Sequence, residues 1–121
     1  MTPAEAIRAL FDAWEHDDPD ALAALFTVDG VYEDPLKPGR LVGRDQVRDG
    51  NAPAMGAIED CRITTTHVLE AGDVGACEGY FASRLAGDTA RLDFPFALVV
   101  ELRDGLIARA GEYFDTRPLV P

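Results

Sequence analysis

The chain has 121 residues, 47% of them hydrophobic and 27% charged, so it is long enough to bury a core of its own. Its 22 acidic residues outnumber 11 basic ones, giving a formal net charge of −11. This disfavours binding to nucleic acid or to an anionic membrane, because both require a basic surface. No apolar run approaches the roughly 20 residues of a membrane span, and the N-terminus lacks signal-peptide character. We therefore expect one cytoplasmic domain over residues 1–121.

Cysteine, histidine and carboxylate residues show no ligand pattern. Cys61 and Cys77 lack the C-x-x-C spacing of a zinc or redox site, so we expect buried thiols in a reducing compartment. We predict neither a metal nor a cofactor. His67 is expected on a sheet surface and Asp115 in backbone contacts near Arg117, with a place in a functional site as the open alternative for both.

The first predicted element is a helix with a strong N-terminal signal. Thr2, Pro3 and Glu5 fit the N-cap, N1 and N3 positions of a capping box, and the helix should end near His16. The apolar residues that follow recur with the period of one helix face: Ile7, Leu10, Phe11 and Trp14.

Two shorter helices are predicted next. Asp18-Pro19 repeats the pattern of a cap followed by proline, and residues 28–30 are predicted as a turn. The apolar face of this second helix would consist of Leu22, Leu25 and Phe26. A weak third helix is predicted over residues 44–48, because two glycines and a proline interrupt its continuation.

A short strand over residues 31–34 ends in a carboxylate. Side-chain alternation places Tyr32 and Asp34 on one face and Glu33 on the other. Pro35 has no N–H and stops the strand, which leaves the Asp34 carboxylate at the rim of the sheet. Asp34 then either points into a pocket or accepts backbone N–H groups in the turn over residues 36–39.

The second half of the chain reads as four strands. Residues 61–70, 75–85, 90–102 and 106–115 are rich in β-branched and aromatic residues, and glycine-containing turns separate them. Helices followed by a run of strands predict an α+β fold. We expect a curved antiparallel sheet with the helices on its concave face, which together form a cone.

This order of elements resembles the nuclear transport factor two-like superfamily. Within it, the chain is similar to the SnoaL-like polyketide cyclases, the ketosteroid isomerases and the limonene-epoxide hydrolases. The motifs that carry the resemblance are Asp17-Asp18-Pro19-Asp20, Asp34-Pro35, Gly43-Arg44-Asp45 and Glu112-Tyr113-Phe114-Asp115. It implies a pocket between the helices and the sheet, and a homodimer through the outer sheet face, where Tyr80, Asp93, Val99 and Tyr113 would lie.

The resemblance to ketosteroid isomerases is partial. Asp34 matches the general base of those enzymes. The tyrosine and the protonated aspartate of their oxyanion hole fall at Leu10 and near Leu98. Without those two donors a faithful steroid isomerase is not expected, because such stabilisation is a large catalytic contribution.

The resemblance to limonene-epoxide hydrolases is partial as well. Tyr32, Asp34 and Glu112 match a tyrosine, an asparagine and an aspartate of that site. The central arginine and aspartate fall near Gly79 and Phe81, so the relay that activates water is missing. Both resemblances imply that Tyr32, Asp34 and Glu112 lie in the pocket.

The family register together with strand alternation implies an apolar pocket with these three polar groups. Leu92 and Val100 would also face inward on one strand, as would Cys77, Gly79 and Ser83 on the strand before it. The predicted substrate-binding residues are Leu10, Trp14, Phe26, Phe81, Phe94, Phe96, Leu98 and Phe114. Each has the alternative of being a plain core residue.

Two carboxyl groups in one apolar cavity repel each other and resist ionisation, which provides one acid and one base at neutral pH. We therefore expect an isomerase or cyclase acting on an apolar carbonyl compound. Asp34 would be the base, and Tyr32 or protonated Glu112 the hydrogen-bond donor. The alternatives are a carrier protein that uses the same cavity without turnover, an interaction module with a vestigial pocket, and an epoxide hydrolase-like enzyme.

Overall fold

A computed structural model describes residues 1–36 and 39–119. The helices are α1 (Pro3–Glu15), α2 (Pro19–Ala24) and α3 (Arg44–Gly56), and a 3-10 turn covers Arg117–Leu119. The strands are β1 (Phe26–Glu33), β2 (Leu41–Val42), β3 (Ile58–Ala71), β4 (Val74–Leu85), β5 (Phe94–Arg103) and β6 (Leu106–Tyr113). This is the predicted α+β architecture.

One curved sheet contains all six strands in the order β2-β1-β6-β5-β4-β3. Strands β3 to β6 form the predicted antiparallel meander, whereas β1 runs parallel to β6. This parallel pairing brings Tyr32 opposite Ala110, although the two residues are 78 positions apart in the chain (110 − 32). The first and last strands thereby meet in the middle of the sheet, which is where the site is built.

Helix α1 packs across β3, β4 and β5 with its apolar stripe inward. The predicted capping box is present, since the Glu5 N–H donates to Thr2 Oγ1 at 3.2 Å and the Thr2 N–H donates to Glu5 Oε1 at 2.9 Å. Two further bonds fix the helix on β3. The Ala4 N–H donates to Glu70 Oε1 at 2.7 Å, and the Ile63 N–H donates to Glu15 Oε2 at 3.1 Å.

Several element boundaries differ from the sequence prediction, among them the earlier start of β3 at Ile58 and the short β2, which was not predicted. Helix α2 ends before Phe26, which instead begins β1, so the predicted turn at 28–30 is an irregular part of that strand with a register shift before Val31. Helix α3 continues through Pro53 to Gly56 because its buried side chains Val47 and Met55 pack on the core, and this packing outweighs the poor helix propensity. Strand β5 begins at Phe94 rather than at residue 90.

No helix in the described ranges is long and apolar enough to cross a membrane.

Candidate functional site

A cavity of about 370 Å³ lies between helix α1 and the inner face of the sheet. Its polar lining consists of Tyr32, Asp34, Arg91 and Glu112. Its remaining lining is apolar: Phe11, Trp14, Leu36, Ala54, Ile58, Ile63, Phe81, Leu85, Leu92, Phe94, Phe96, Phe114 and Leu119. A concave, largely apolar site with a few converging polar groups is typical of small-molecule binding.

A row of rings forms one wall of the cavity. The ring of Phe94 stacks on Phe81 with centroids 4.8 Å apart, and Phe114 packs on the other side of Phe94 at the same distance. Trp14 closes the row from helix α1, with its ring edge against Phe81 at 6.1 Å. The rings come from β4, β5, the end of β6 and α1, so the wall exists only in the folded chain.

Tyr32 and Glu112 are joined at the inner end of the cavity. Because Tyr32 pairs with Ala110, its side chain shares a face with Glu112, two residues further along β6. The Tyr32 hydroxyl donates to Glu112 Oε1 at 2.7 Å. Tyr32 is 1% exposed, and this burial, reinforced by the negative charge of Glu112, raises its pKa well above the usual range. The hydroxyl is therefore a donor at any ordinary pH.

Asp34 lies just beyond the end of β1, where its side chain lines the cavity. Its Oδ1 also accepts the N–H of Leu36 at 2.8 Å. The two arrangements given as alternatives therefore occur together, since the Asp34 side chain lines the cavity and also accepts a backbone N–H in the turn. Lys37 and Pro38 of that turn lie outside the described residues. The bond to Leu36 fixes the orientation of the carboxyl group relative to the end of the strand.

The prediction of the apolar lining agrees with the structure at Leu92 and at five of the eight predicted substrate-binding residues, namely Trp14, Phe81, Phe94, Phe96 and Phe114. It is wrong for Leu10, Phe26 and Leu98, which are 0% exposed, belong to the packed core and do not line the cavity. Phe26 lies on β1 against the Tyr32 ring, at 6.2 Å between centroids, so it supports the site from behind.

Several lining residues were not anticipated. Phe11 belongs to the predicted helix stripe, and its position three residues before Trp14 is the signal that places both side chains over the sheet. Ile63 faces the cavity because it pairs with Phe81 across β3 and β4. Arg91 had no signal in the sequence, since it lies in an irregular segment whose position depends on contacts with β4.

The two residues with open alternatives lie outside the cavity lining. His67 is exposed on β3, with its Nδ1 at 3.4 Å from Glu78 Oε1. The Asp115 carboxylate accepts the backbone N–H of Arg117 at 2.9 Å and the guanidinium of the same residue. These bonds, above all those from the guanidinium, lower the pKa of Asp115 to about 2. Within residues 1–36 and 39–119, no three His, Cys, Asp or Glu residues are grouped as a metal site.

Comparisons with known protein families and solved structures point to the same family. Residues 7–110 match the model of the SnoaL-like domain. A search of curated proteins gave no match. A protein with a ketosteroid isomerase-like fold from Catenulispora acidiphila, solved with trimethylamine, is 29% identical, with a TM-score of 0.83 over 95% of this chain and 88% of that one.

Two more distant structures share the fold. An LEH-like epoxide hydrolase of M. tuberculosis is 23% identical with a TM-score of 0.77, over 93% of this chain and 81% of that one. An NTF2-like protein of unknown function from Burkholderia pseudomallei is 18% identical with a TM-score of 0.82, over 97% of this chain and 93% of that one. The match over residues 7–110 and the common fold lead to one conclusion: the chain belongs to the SnoaL-like domain family.

Proposed function

We propose that this protein is a cofactor-independent enzyme of the isomerase or cyclase kind that transfers a proton on an apolar carbonyl compound. The observation that carries the proposal is the convergence of Asp34 and the Tyr32–Glu112 pair on one aromatic cavity. An acid–base pair in an apolar site suits proton abstraction next to a carbonyl group, because low polarity strengthens every hydrogen bond made to the developing oxyanion.

In the proposed reaction, the Asp34 carboxylate takes a proton from the carbon next to the carbonyl group. The electrons of the broken C–H bond form the enolate double bond, and the carbonyl oxygen takes up the negative charge. Glu112 in its protonated form, which accepts the Tyr32 hydroxyl on Oε1, donates a hydrogen bond to that oxygen, or the Tyr32 hydroxyl turns from Glu112 to donate it. The enolate then either receives the proton back from Asp34 at another carbon or attacks a second carbonyl carbon of the same molecule. In the second case a C–C bond closes a ring, the attacked carbonyl oxygen becomes an alkoxide, and the alkoxide takes the proton from Asp34, which regenerates the carboxylate.

The oxyanion stabilisation differs from that of a ketosteroid isomerase. The positions of its two donors are occupied here by Leu10 and Leu98, both in the packed core. The Tyr32 hydroxyl donates to Glu112 Oε1. The proposal therefore assigns the donor function to the Tyr32–Glu112 pair as a unit.

The test is deuterium uptake from heavy water at the carbon next to the carbonyl of 2-tetralone, 2-indanone and cyclohexanone. Wild type is compared with Asp34→Asn and with Asp115→Asn, a matched control outside the cavity. Exchange catalysed by wild type and by the control, but not by Asp34→Asn, supports the proposal. Equal exchange in all three proteins contradicts Asp34 as the base.

A carrier protein without turnover is the second candidate, and the trimethylamine complex of the 29% identical relative favours it. In this chain, aromatic rings such as Trp14 line the cavity, and an aromatic lining suits cation–π contacts to a small alkylammonium ion. Tight binding of trimethylammonium that persists in Asp34→Asn, combined with no exchange of any ketone, would favour the carrier.

We also propose that two copies associate through the outer face of the sheet. Tyr80 and Tyr113 are 46% and 55% exposed there, on β4 and β6, and Ala97 of β5 pairs with Tyr113. Sedimentation velocity tests the proposal. Tyr80→Glu should give monomers, whereas Gln46→Glu, which adds the same charge on the exposed side of α3, should leave a dimer intact. A monomeric wild type would contradict it.

A further inference from the structure

We propose that Arg91 binds an anionic group of the ligand, so that the substrate is an apolar carbonyl compound that also carries a carboxylate. This inference rests on the proposed use of the cavity as a ligand site. It adds the chemical class of the substrate and the end of the cavity at which its charge is held.

Arg91 is the one cationic side chain among the described residues of the cavity lining. Its side chain is 56% exposed, whereas Tyr32 at the other end is buried. The guanidinium therefore lies at the opening of the cavity, between solvent and the aromatic wall. In a chain with a net charge of −11, a cation at this position selects the charge of what enters.

The guanidinium of Arg91 is oriented by Asp93. The Asp93 carboxylate accepts from Nε at 3.3 Å and from Nη2 at 3.0 Å. A guanidinium has five N–H donors, so this pairing leaves donors for a second carboxylate in the planar, two-pronged geometry that arginine favours. Asp93 thus reduces the rotational freedom that Arg91 would otherwise lose on binding a ligand.

The segment that carries Arg91 is itself fixed by a buried serine. Ser83 on β4 is 0% exposed, and its N–H donates to Asp93 Oδ1 at 3.0 Å. Its hydroxyl donates to the Leu92 carbonyl at 2.9 Å, and the Leu92 N–H donates to the Ser83 carbonyl at 3.0 Å. Three hydrogen bonds to Ser83 therefore fix the position of this irregular segment on β4, as is typical of a preorganised binding site.

The position of Arg91 gives an upper limit to the length of the ligand. Arg91 lies seven residues before Leu98, the partner of Glu112 across β5 and β6. At about 3.3 Å per residue this is at most about 23 Å of chain, part of which the arginine side chain spans by reaching back toward the cavity. The row of rings that includes Phe94 lies between the two ends, so an apolar body can lie along this wall while a carboxylate meets Arg91.

A purely structural function of the Arg91–Asp93 pair makes a different prediction. In that case removal of the guanidinium would lower the thermal stability of the protein and would affect charged and neutral ligands equally. A ligand anchor affects only the anionic ligand. The two functions are therefore separated by comparing ligands that differ in charge and share a ring system.

The test uses 2-naphthoate, its neutral analogue 2-acetylnaphthalene and the cationic 2-naphthylmethylammonium. Trp14 is the single tryptophan of the chain and lines the cavity, so quenching of its fluorescence reports occupancy, with calorimetry as a second readout. The variants are Arg91→Met, Arg91→Lys and Arg84→Met. Arg84 faces Arg91 across an isolated bridge but does not line the cavity, so its loss is a matched control for charge.

We expect Arg91→Met to weaken 2-naphthoate binding at least tenfold and to leave 2-acetylnaphthalene unchanged, with Arg91→Lys in between and Arg84→Met like wild type. If 2-acetylnaphthalene binds but the affinity for 2-naphthoate is the same in wild type and Arg91→Met, Arg91 does not bind the carboxylate, and the proposed function of the cavity still stands. If the ammonium ligand binds more tightly than the carboxylate, the assigned substrate charge is wrong. If none of the three ligands binds wild type, the cavity is not a ligand site and both proposals fail.

Discussion

Tyr32 connects the hydrophobic core to the polar end of the cavity. Its ring packs on Phe26 in the core, and its hydroxyl reaches Glu112 in the cavity lining. A buried hydroxyl bonded to a carboxyl group contributes to both stability and site geometry, because the bond forms where water is excluded. The side chain therefore fixes the orientation of Glu112 toward the space where a carbonyl group would lie.

The Tyr32→Phe variant should unfold about 1–2 kcal/mol more easily than wild type, because it removes this hydrogen bond while keeping the ring. Urea titration measures the difference. A double-mutant cycle with Glu112→Gln should show a coupling energy between the two sites. Strictly additive losses would mean that the bond contributes nothing to folding.

The thiols of Cys61 and Cys77 should be unreactive in the folded protein. Burial raises the pKa of both from the usual 9.0 to about 11. Since only the thiolate reacts, alkylation at pH 8 should be roughly 100-fold slower than for an ordinary thiol. Iodoacetamide labelling followed by mass spectrometry, with and without urea, measures the ratio. Equal rates in both conditions would show that the thiols are accessible.

Where a strand is regular, the sequence predicted well on which face of the sheet each residue lies. Alternation placed Tyr32, Asp34 and Glu112 correctly on the cavity side, since a period of two leaves only two choices. Alternation could not distinguish the residues that line the cavity from those packed in the core. Leu98 and Glu112 share a face and a cross-strand pair, yet only Glu112 lines the cavity, because the helix covers Leu98. The position of Arg91 in the cavity lining was not predicted, because its segment is held in place by contacts with Ser83 that the sequence does not reveal.

At the scale of elements, the strands β3 and β4 meet closely at Gly79. A Cβ atom built there would lie 2.3 Å from the Thr64 carbonyl oxygen and 2.6 Å from the Phe96 ring. No larger residue fits without moving the backbone of β3 or the ring that lines the cavity. The glycine is thus required by the packing of two elements, and not by its own backbone conformation.

The Gly79→Ala variant should therefore lose about 3 kcal/mol of unfolding free energy, through overpacking. Gly56→Ala is the matched control, because no atom lies within 4 Å of the Cβ position at the end of α3. That change should stay within about 1 kcal/mol of wild type. Thermal and urea unfolding of both variants measure these changes in unfolding free energy. Similar stabilities for the two would contradict the close contact at Gly79.

The element order was predictable because its signals are local. The capping box of α1 and the hairpin turns at Gly72 and Gly105, both with positive φ, are encoded within a few residues. The parallel pairing of β1 with β6 was not, since it joins strands from opposite ends of the chain. Helix α3 was underestimated because Pro53 is a strong local signal that tertiary packing outweighs.

For the whole molecule, surface ion pairs determine the response to acid. Among the described residues, four aspartates have a pKa that is lowered chiefly by an arginine side chain bonded to them: Asp29 with Arg103, Asp60 with Arg84, Asp93 with Arg91 and Asp115 with Arg117. Their usual pKa of 3.8 applies to the unfolded chain, which therefore binds protons first as the pH falls. The stability they contribute is present above about pH 4 and is lost below it.

The melting temperature should consequently fall steeply between pH 4 and pH 2, the window bounded by 3.8 in the unfolded chain and about 2 for Asp115 in the folded chain. Calorimetry at pH 7, 4, 3 and 2 measures this. Because three of the four carboxylates are exposed and Asp93 is half-buried, high salt should weaken the dependence. A melting temperature that does not change between pH 4 and pH 2 would show that the pairs do not contribute to folding.

The most direct test of the account is the rate of deuterium uptake by 2-tetralone with wild type and with Asp34→Asn. The proposed base predicts a rate that is about 10²–10⁴-fold lower in the variant, the usual contribution of a positioned base, while the quenching of Trp14 by the ketone stays the same. Equal uptake with equal binding would contradict Asp34 as the base and would leave the cavity as a binding site without turnover.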